Sequence, residues 1–187
     1  MRSAEGVGAG ARADRVPVGR GVVRAMELFG GKTTNKLDAK GRVSLPAKFR
    51  AVASAQGAST LYCFPSFQGA FIEGGGPQFR ADLQAMLDRL DPFSEEHDQL
   101  ADVVIGAGVD LSFDKDGRVV LPEELRAYAG IGHQVTFVGL GRKFQIWEPS
   151  AYEAFHAQSI RNAHQHRGLL KSLSARPVDP SNDRGGR

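Results

Sequence analysis

Two stretches of this chain are copies of each other, and that duplication limits its fold more than any other feature. Leu37-Asp-Ala-Lys-Gly-Arg-Val-Ser-Leu-Pro-Ala-Lys-Phe-Arg50 returns 76 positions later as Phe113-Asp-Lys-Asp-Gly-Arg-Val-Val-Leu-Pro-Glu-Glu-Leu-Arg126. Seven of the fourteen positions are identical: Asp38/Asp114, Gly41/Gly117, Arg42/Arg118, Val43/Val119, Leu45/Leu121, Pro46/Pro122 and Arg50/Arg126. Phe29-Gly30 and Ile105-Gly106 extend the match upstream. Downstream, Thr60–Phe64 and Phe71-Ile72-Glu73 echo Val135–Val138 and Ile146-Trp147-Glu148, with one residue lost between the strands. Two diverged copies of one unit account for this pattern.

The unit has a readable order. A strand runs into Asp-x-x-Gly-Arg, where Gly41 or Gly117 supplies the positive φ of a tight turn. Arg-Val-x-Leu alternates exposed and buried positions, as a second strand does. Pro46 or Pro122 suits the first turn of a short helix, and Gly57 or Gly130 its end. Two more strands complete a β-β-α-β-β unit. Each copy is about 45 residues, too short to bury much surface alone. The two are therefore expected to share one core as an intramolecular pseudo-dimer, mixed α/β but mainly β, built on a small barrel or sandwich.

Between the copies, Phe79, Leu83, Met86, Leu87 and Leu90 fall at helical spacing. Asp91-Pro92 breaks that helix, and Ser94 caps another, with Glu95 and Glu96 favouring its positive end. Gly74-Gly75-Gly76 before Pro77 reads as a linker. A last helix starts near Pro149, with Tyr152, Phe155 and Ile160 on one side, packing within the chain or against another subunit. The expected division is 1–25, an extension; 31–76, the first unit; 77–104, a helical connector; 107–150, the second unit; and 151–187, a helix and disordered tail.

The formal charge of +3 is unevenly spread. Residues 1–25 carry net +3 and residues 161–187 net +4, while the body, 26–160, carries net −4. Residues 1–25 lack anchors and a signal-peptide core, so they read as a disordered tail or as translation assigned upstream of Met26; a basic DNA-binding arm is the alternative. Pro177, Pro180 and Gly185-Gly186 mark the other end as disordered from Arg161 onward. Within the body, residues 26–75 are net +3 and residues 76–160 net −7. No apolar run reaches the ~18 residues of a membrane span. The single cysteine, Cys63, excludes an internal disulfide and cysteine-rich zinc sites, and fits a reducing compartment.

The unit Asp-x-x-Gly-Arg-Val-x-Leu-Pro-x-x-x-Arg resembles the AbrB/SpoVT swapped-hairpin DNA-binding domain. Two copies joined by a helical connector resemble the bacterial regulators that carry this domain twice, over about residues 27–160. The resemblance implies tandem swapped-hairpin units and a cytoplasmic, nucleoid-associated transcriptional regulator of the division and cell-wall genes. It further implies a ring-like homo-oligomer on short direct repeats of double-stranded DNA near its own promoter, with no cofactor, membrane or small-molecule substrate.

Arg42 follows the turn glycine, and its guanidinium offers a planar fork matching guanine O6 and N7. Asp38, four residues earlier, can accept turn amides and orient that fork. From residue types alone the pair serves equally as a structural turn bridge; the resemblance points to DNA contact. Lys36, Lys40 and Arg50 are candidate phosphate contacts, or simply a solvated charged face. The second copy suits DNA less: Asp116 replaces Lys40, and Glu123 and Glu124 replace Ala47 and Lys48. Asp114 and Arg118 are therefore expected to be structural or to meet a neighbouring subunit.

An enzyme lacks support, since the chain has neither a Gly-x-Ser-x-Gly elbow nor a Gly-x-x-x-x-Gly-Lys loop. His97, His133, His156, His164 and His166 form no accepted metal spacing. The remaining rival is an antitoxin-type protein-interaction module.

Overall fold

The structure, a computed structural model, describes residues 28–174. The expectations for residues 1–25, Met26 as a start, and the chain beyond 174 lie outside the described residues. The first repeat folds as β1 (Phe29–Lys36), β2 (Arg42–Ser44), α1 (Ala47–Ala55), β3 (Thr60–Pro65) and β4 (Ile72–Gly75). The connector gives α2 (Pro77–Leu87), α3 (Glu95–Ala101) and a π-helical turn, Asp102–Gly106. The second repeat folds as β5 (Val109–Ser112), β6 (Arg118–Val120), α4 (Glu123–Tyr128), β7 (Gln134–Gly141) and β8 (Lys143–Trp147), before α5 (Pro149–Ser174).

The repeats are interleaved. Six strands form one antiparallel sheet in the order β1-β7-β8-β4-β3-β5, and β2 pairs with β6 in a separate two-stranded ribbon. Each repeat's first strand thus pairs with the third strand of the other: Lys36 lies opposite Gln134, and Ser112 opposite Thr60. Val43 faces Val119 and Ile72 faces Ile146, so a pseudo-twofold axis runs through both equivalent pairs.

The register corrects the sequence echo. Equivalent residues are 76 apart in the ribbon but 74 apart in β3/β7 and β4/β8. The main length change lies in the helices, nine residues in α1 against six in α4, rather than between the later strands. Among the described residues the strands form no closed barrel; the two-stranded ribbon packs on one face of the larger sheet. One six-stranded ladder ends at β1 and β5 and is covered on both faces.

Strand alternation sets the layers. On one face Leu61, Cys63, Val135, Phe137, Phe144 and Ile146 meet Val43 and Val119 from the ribbon, with Phe49, Val52 and Leu125 from α1 and α4. Phe29, Phe49 and Phe144 pack ring against ring, with centroids 5.1–5.3 Å apart. On the other face Tyr62 and Phe64 lie under Phe79, Leu83 and Leu87 of α2, while Phe71 and Trp147 stack at 4.1 Å beneath Tyr152 of α5. Met86, expected on the packed stripe of α2, is instead 61% exposed.

Two further expectations fail. Gly74 and Gly75 are buried in β4, not in a linker. A Cβ on Gly74 would sit 2.6 Å from Phe144 Cζ and 2.7 Å from Cys63 Sγ, and one on Gly75 would collide with Phe79. The glycines let the sheet pack against both layers. And α5 continues past Arg161, where disorder was expected, as far as Ser174, because no proline follows Pro149 until Pro177. Phe155 and Ile160 remain about half exposed on it.

Candidate nucleic-acid interface

The ribbon presents a bare outer face. Val43 and Val119 point into the core, 1% exposed each. Period-two alternation turns Arg42, Ser44, Arg118 and Val120 the other way, with Ser44 opposite Arg118 and Arg42 opposite Val120. Both motif arginines therefore share one exposed face, related by the pseudo-twofold.

Each turn is built by one aspartate. Asp38 Oδ1 accepts from the amides of Lys40 and Arg42, both at 2.9 Å, and Oδ2 accepts from Arg42 Nε at 2.7 Å. Gly41 closes the turn at φ 74°, donating to Asp38 O at 3.0 Å. The Arg42 amide beside the Asp38 carboxyl is the main cause that holds its pKa below the ordinary aspartate value, with the guanidinium and the Lys40 amide acting in the same direction. The second turn repeats this geometry: Asp114 Oδ1 accepts from Asp116 N and Arg118 N at 2.9 Å, and Oδ2 from Arg118 Nε at 2.8 Å. Asp114 is lowered for the same leading reason, the Arg118 amide.

The turns depend on each other's repeats. Leu45 N donates to Gly117 O at 3.1 Å, and Leu121 N donates to Gly41 O at 2.9 Å. Arg50 reaches under the second turn, its Nη1 donating to Asp116 O at 3.3 Å, and its chain occupies the space a Cβ on Gly117 would need. Arg126 lies correspondingly near Gly41, 3.5 Å from where a Cβ would be, with Nε donating to Leu121 O at 3.1 Å. Asn35 Nδ2 donates to Ser44 O at 2.6 Å and ties the ribbon to β1.

The candidate residues separate accordingly. Arg42, Asp38 and Lys40 come together in the first turn, and Lys36 is exposed at the end of β1 just before it. Arg50 is drawn away to brace the opposite turn. Asp114 and Arg118 reproduce the first pair but add Asp116, whose Oδ2 accepts from Arg118 Nη2 at 2.7 Å. Sequence reasoning missed that Arg50 and Arg126 hold the turns; their identity in both copies was the available signal. It also missed Ser44 and Val120 as surface between the arginines, since alternation within a strand does not say which strand pairs with it. Among the described residues, no helix is long and apolar enough to cross a membrane.

Interleaved β-β-α-β-β repeats that raise paired Asp-x-x-x-Arg turns on a surface ribbon define a class of duplicated-hairpin proteins. This chain belongs to the MraZ family. The family model described as "MraZ protein, putative antitoxin-like" matches residues 28–65 and 105–171. A protein of Parvibaculum lavamentivorans named "Transcriptional regulator MraZ" is 55% identical over 151 residues, covering 80% of this chain and 94% of that protein. Relatives of the same name are 47% identical in Beijerinckia indica, over 83% of this chain and 93% of theirs, and 40% identical in Rickettsia bellii, over 80% and 100%.

Proposed function

We propose that this chain is a DNA-binding transcriptional regulator that grips duplex DNA with the outer face of the β2–β6 ribbon, led by the first turn. The observation that carries this reading is the state of Arg42. Its Nε edge is anchored by Asp38, its side chain is 36% exposed, and no other side chain engages its terminal nitrogens among the described residues. A two-stranded ribbon fits the major groove, and an oriented guanidinium fork there matches guanine O6 and N7. Lys40 and Lys36 supply phosphate contacts beside it, which position the ribbon without reading bases. Arg50 acts indirectly, by holding the second turn in place. Membership of a family whose relatives are named transcriptional regulators agrees with this reading.

The finer reading is that residues 31–76 and 107–150 are two AbrB/SpoVT-like swapped-hairpin units, joined by the 77–104 connector and followed by the segment from 151. The exchange of β1 and β5 between repeats supports it. A homo-oligomer of such chains, cytoplasmic and nucleoid-associated, would set several first turns along short direct repeats, adding weak grips by multivalency.

Anisotropy titration with duplex DNA from upstream of its own gene tests the reading. Binding is expected to weaken with salt; Arg42→Ala should abolish sequence preference, and Lys40→Ala should lower the salt slope by roughly one. Absent or salt-independent binding by folded protein would favour the protein-interaction reading that the family's antitoxin-like description offers.

A further inference from the structure

The two arginine turns share backbone geometry but not availability. Their glycines have φ 74° and 71°, and their aspartates make the same amide and Nε hydrogen bonds. The difference lies at one pseudo-symmetric pair, Lys40 and Asp116. Lys40, exposed in the first turn, puts a cationic residue in the same turn as Arg42. Asp116 instead takes one terminal nitrogen of Arg118 at 2.7 Å while Asp114 holds Nε at 2.8 Å, so two carboxylates clamp the fork. The neighbouring Asp38, Asp114 and Asp116 all hold the Arg118 pKa above its ordinary value, the Asp114 hydrogen bond most strongly. Glu123 and Glu124, exposed in the first turn of α4, add charge of the same sign.

Resting on the reading that the ribbon meets DNA, we propose that Asp116 is a built-in competitor for the DNA acceptor, closing Arg118 so that a twofold ribbon grips through its Arg42 half alone. An incoming phosphate or guanine edge presents the same kind of acceptor that Asp116 already supplies. To engage Arg118 it must displace a tethered carboxylate and approach an uncompensated negative charge. Arg118 is thus oriented, partly exposed and occupied. The device is local: Arg50 holds this turn through the Asp116 carbonyl, which a change of side chain leaves in place.

The test uses the full chain and a labelled duplex from upstream of its own gene, with a scrambled duplex alongside. Asp116→Asn is expected to tighten binding about fivefold, the weight of one added fork contact. Asp116→Lys should also raise the salt slope by roughly one and restore binding to Arg42→Ala. Asp116→Glu, which keeps the carboxylate, should bind as wild type. With Arg118→Ala in the background, Asp116→Asn should keep only the small gain of removing one negative charge. The proposal is overturned if Asp116→Asn and Asp116→Lys bind as wild type, or if their gain survives intact with Arg118→Ala. It is equally overturned if Arg118→Ala alone weakens binding as much as Arg42→Ala. Unaltered binding by Arg42→Ala alone would instead remove the reading beneath it. Circular dichroism and sedimentation on every variant establish that fold and assembly are retained.

Discussion

Asp38 does three jobs with two oxygens: it closes the turn, fixes Arg42, and stays ionised while doing so. Because its folded pKa lies below the ordinary value, its contribution to stability is present above about pH 4 and is lost as pH falls through the lowered value. Carbon-detected titration of its carboxyl should place the midpoint below that of a free aspartate; a midpoint at or above it would mean that the turn network does not form. The turn glycines allow a second comparison. Gly57 and Gly117 both take positive φ, 70° and 71°, but only Gly117 has Arg50 lying against it. Gly57→Ala should therefore cost about 1–2 kcal/mol, the left-handed penalty alone. Gly117→Ala should cost more in urea denaturation, and equal costs would show that Arg50 does not pack there.

The strands show why neither repeat stands alone. Among the described residues, β1 has its only sheet partner, β7, in the second repeat, and β5 has its only partner, β3, in the first. A peptide of residues 28–76 would leave β1 without β7 and β2 without β6. It should show no cooperative thermal transition as a monomer; a folded monomer would refute the interdependence. Ile146 sits at the centre of the sheet opposite Ile72, and Ile146→Ala should cost roughly 2–5 kcal/mol. Much at this level was legible in the sequence. The duplicated Asp-x-x-Gly-Arg-Val carried the order of elements and the turn glycines, and Ser94 before Glu95-Glu96 marked the connector's cap, whose hydroxyl accepts from His97 N at 3.1 Å. Strand exchange was not legible from the residues themselves, because alternation in Arg-Val-Ser reports which side is buried and not whose strand lies alongside. The role of Gly74 was missed for a related reason: one of the two side chains that crowd a Cβ there, Phe144, comes from the other repeat.

Across the chain, the body of residues 26–160 is net −4 and offers little electrostatic attraction to DNA away from the first turn, the remaining positive charge lying in residues 1–25 and 161–187. Affinity should then depend on how many first turns engage together. A duplex with two repeats, one helical turn apart, is expected to bind 10²–10⁴-fold tighter than one with a single repeat, an order-of-magnitude avidity gain. Equal affinity for the two duplexes, measured by anisotropy, would count against joint engagement.

A ribbon with two equal arginines would suit a palindrome, since turning it over would change nothing. Clamping Arg118 removes that equivalence, so on the proposed reading each bound chain points one way along the duplex. Chains side by side in one orientation call for sites written head to tail, and an inverted pair would set one chain backwards. A single aspartate in the second turn would thus give the bound protein a polarity that its nearly twofold ribbon does not supply.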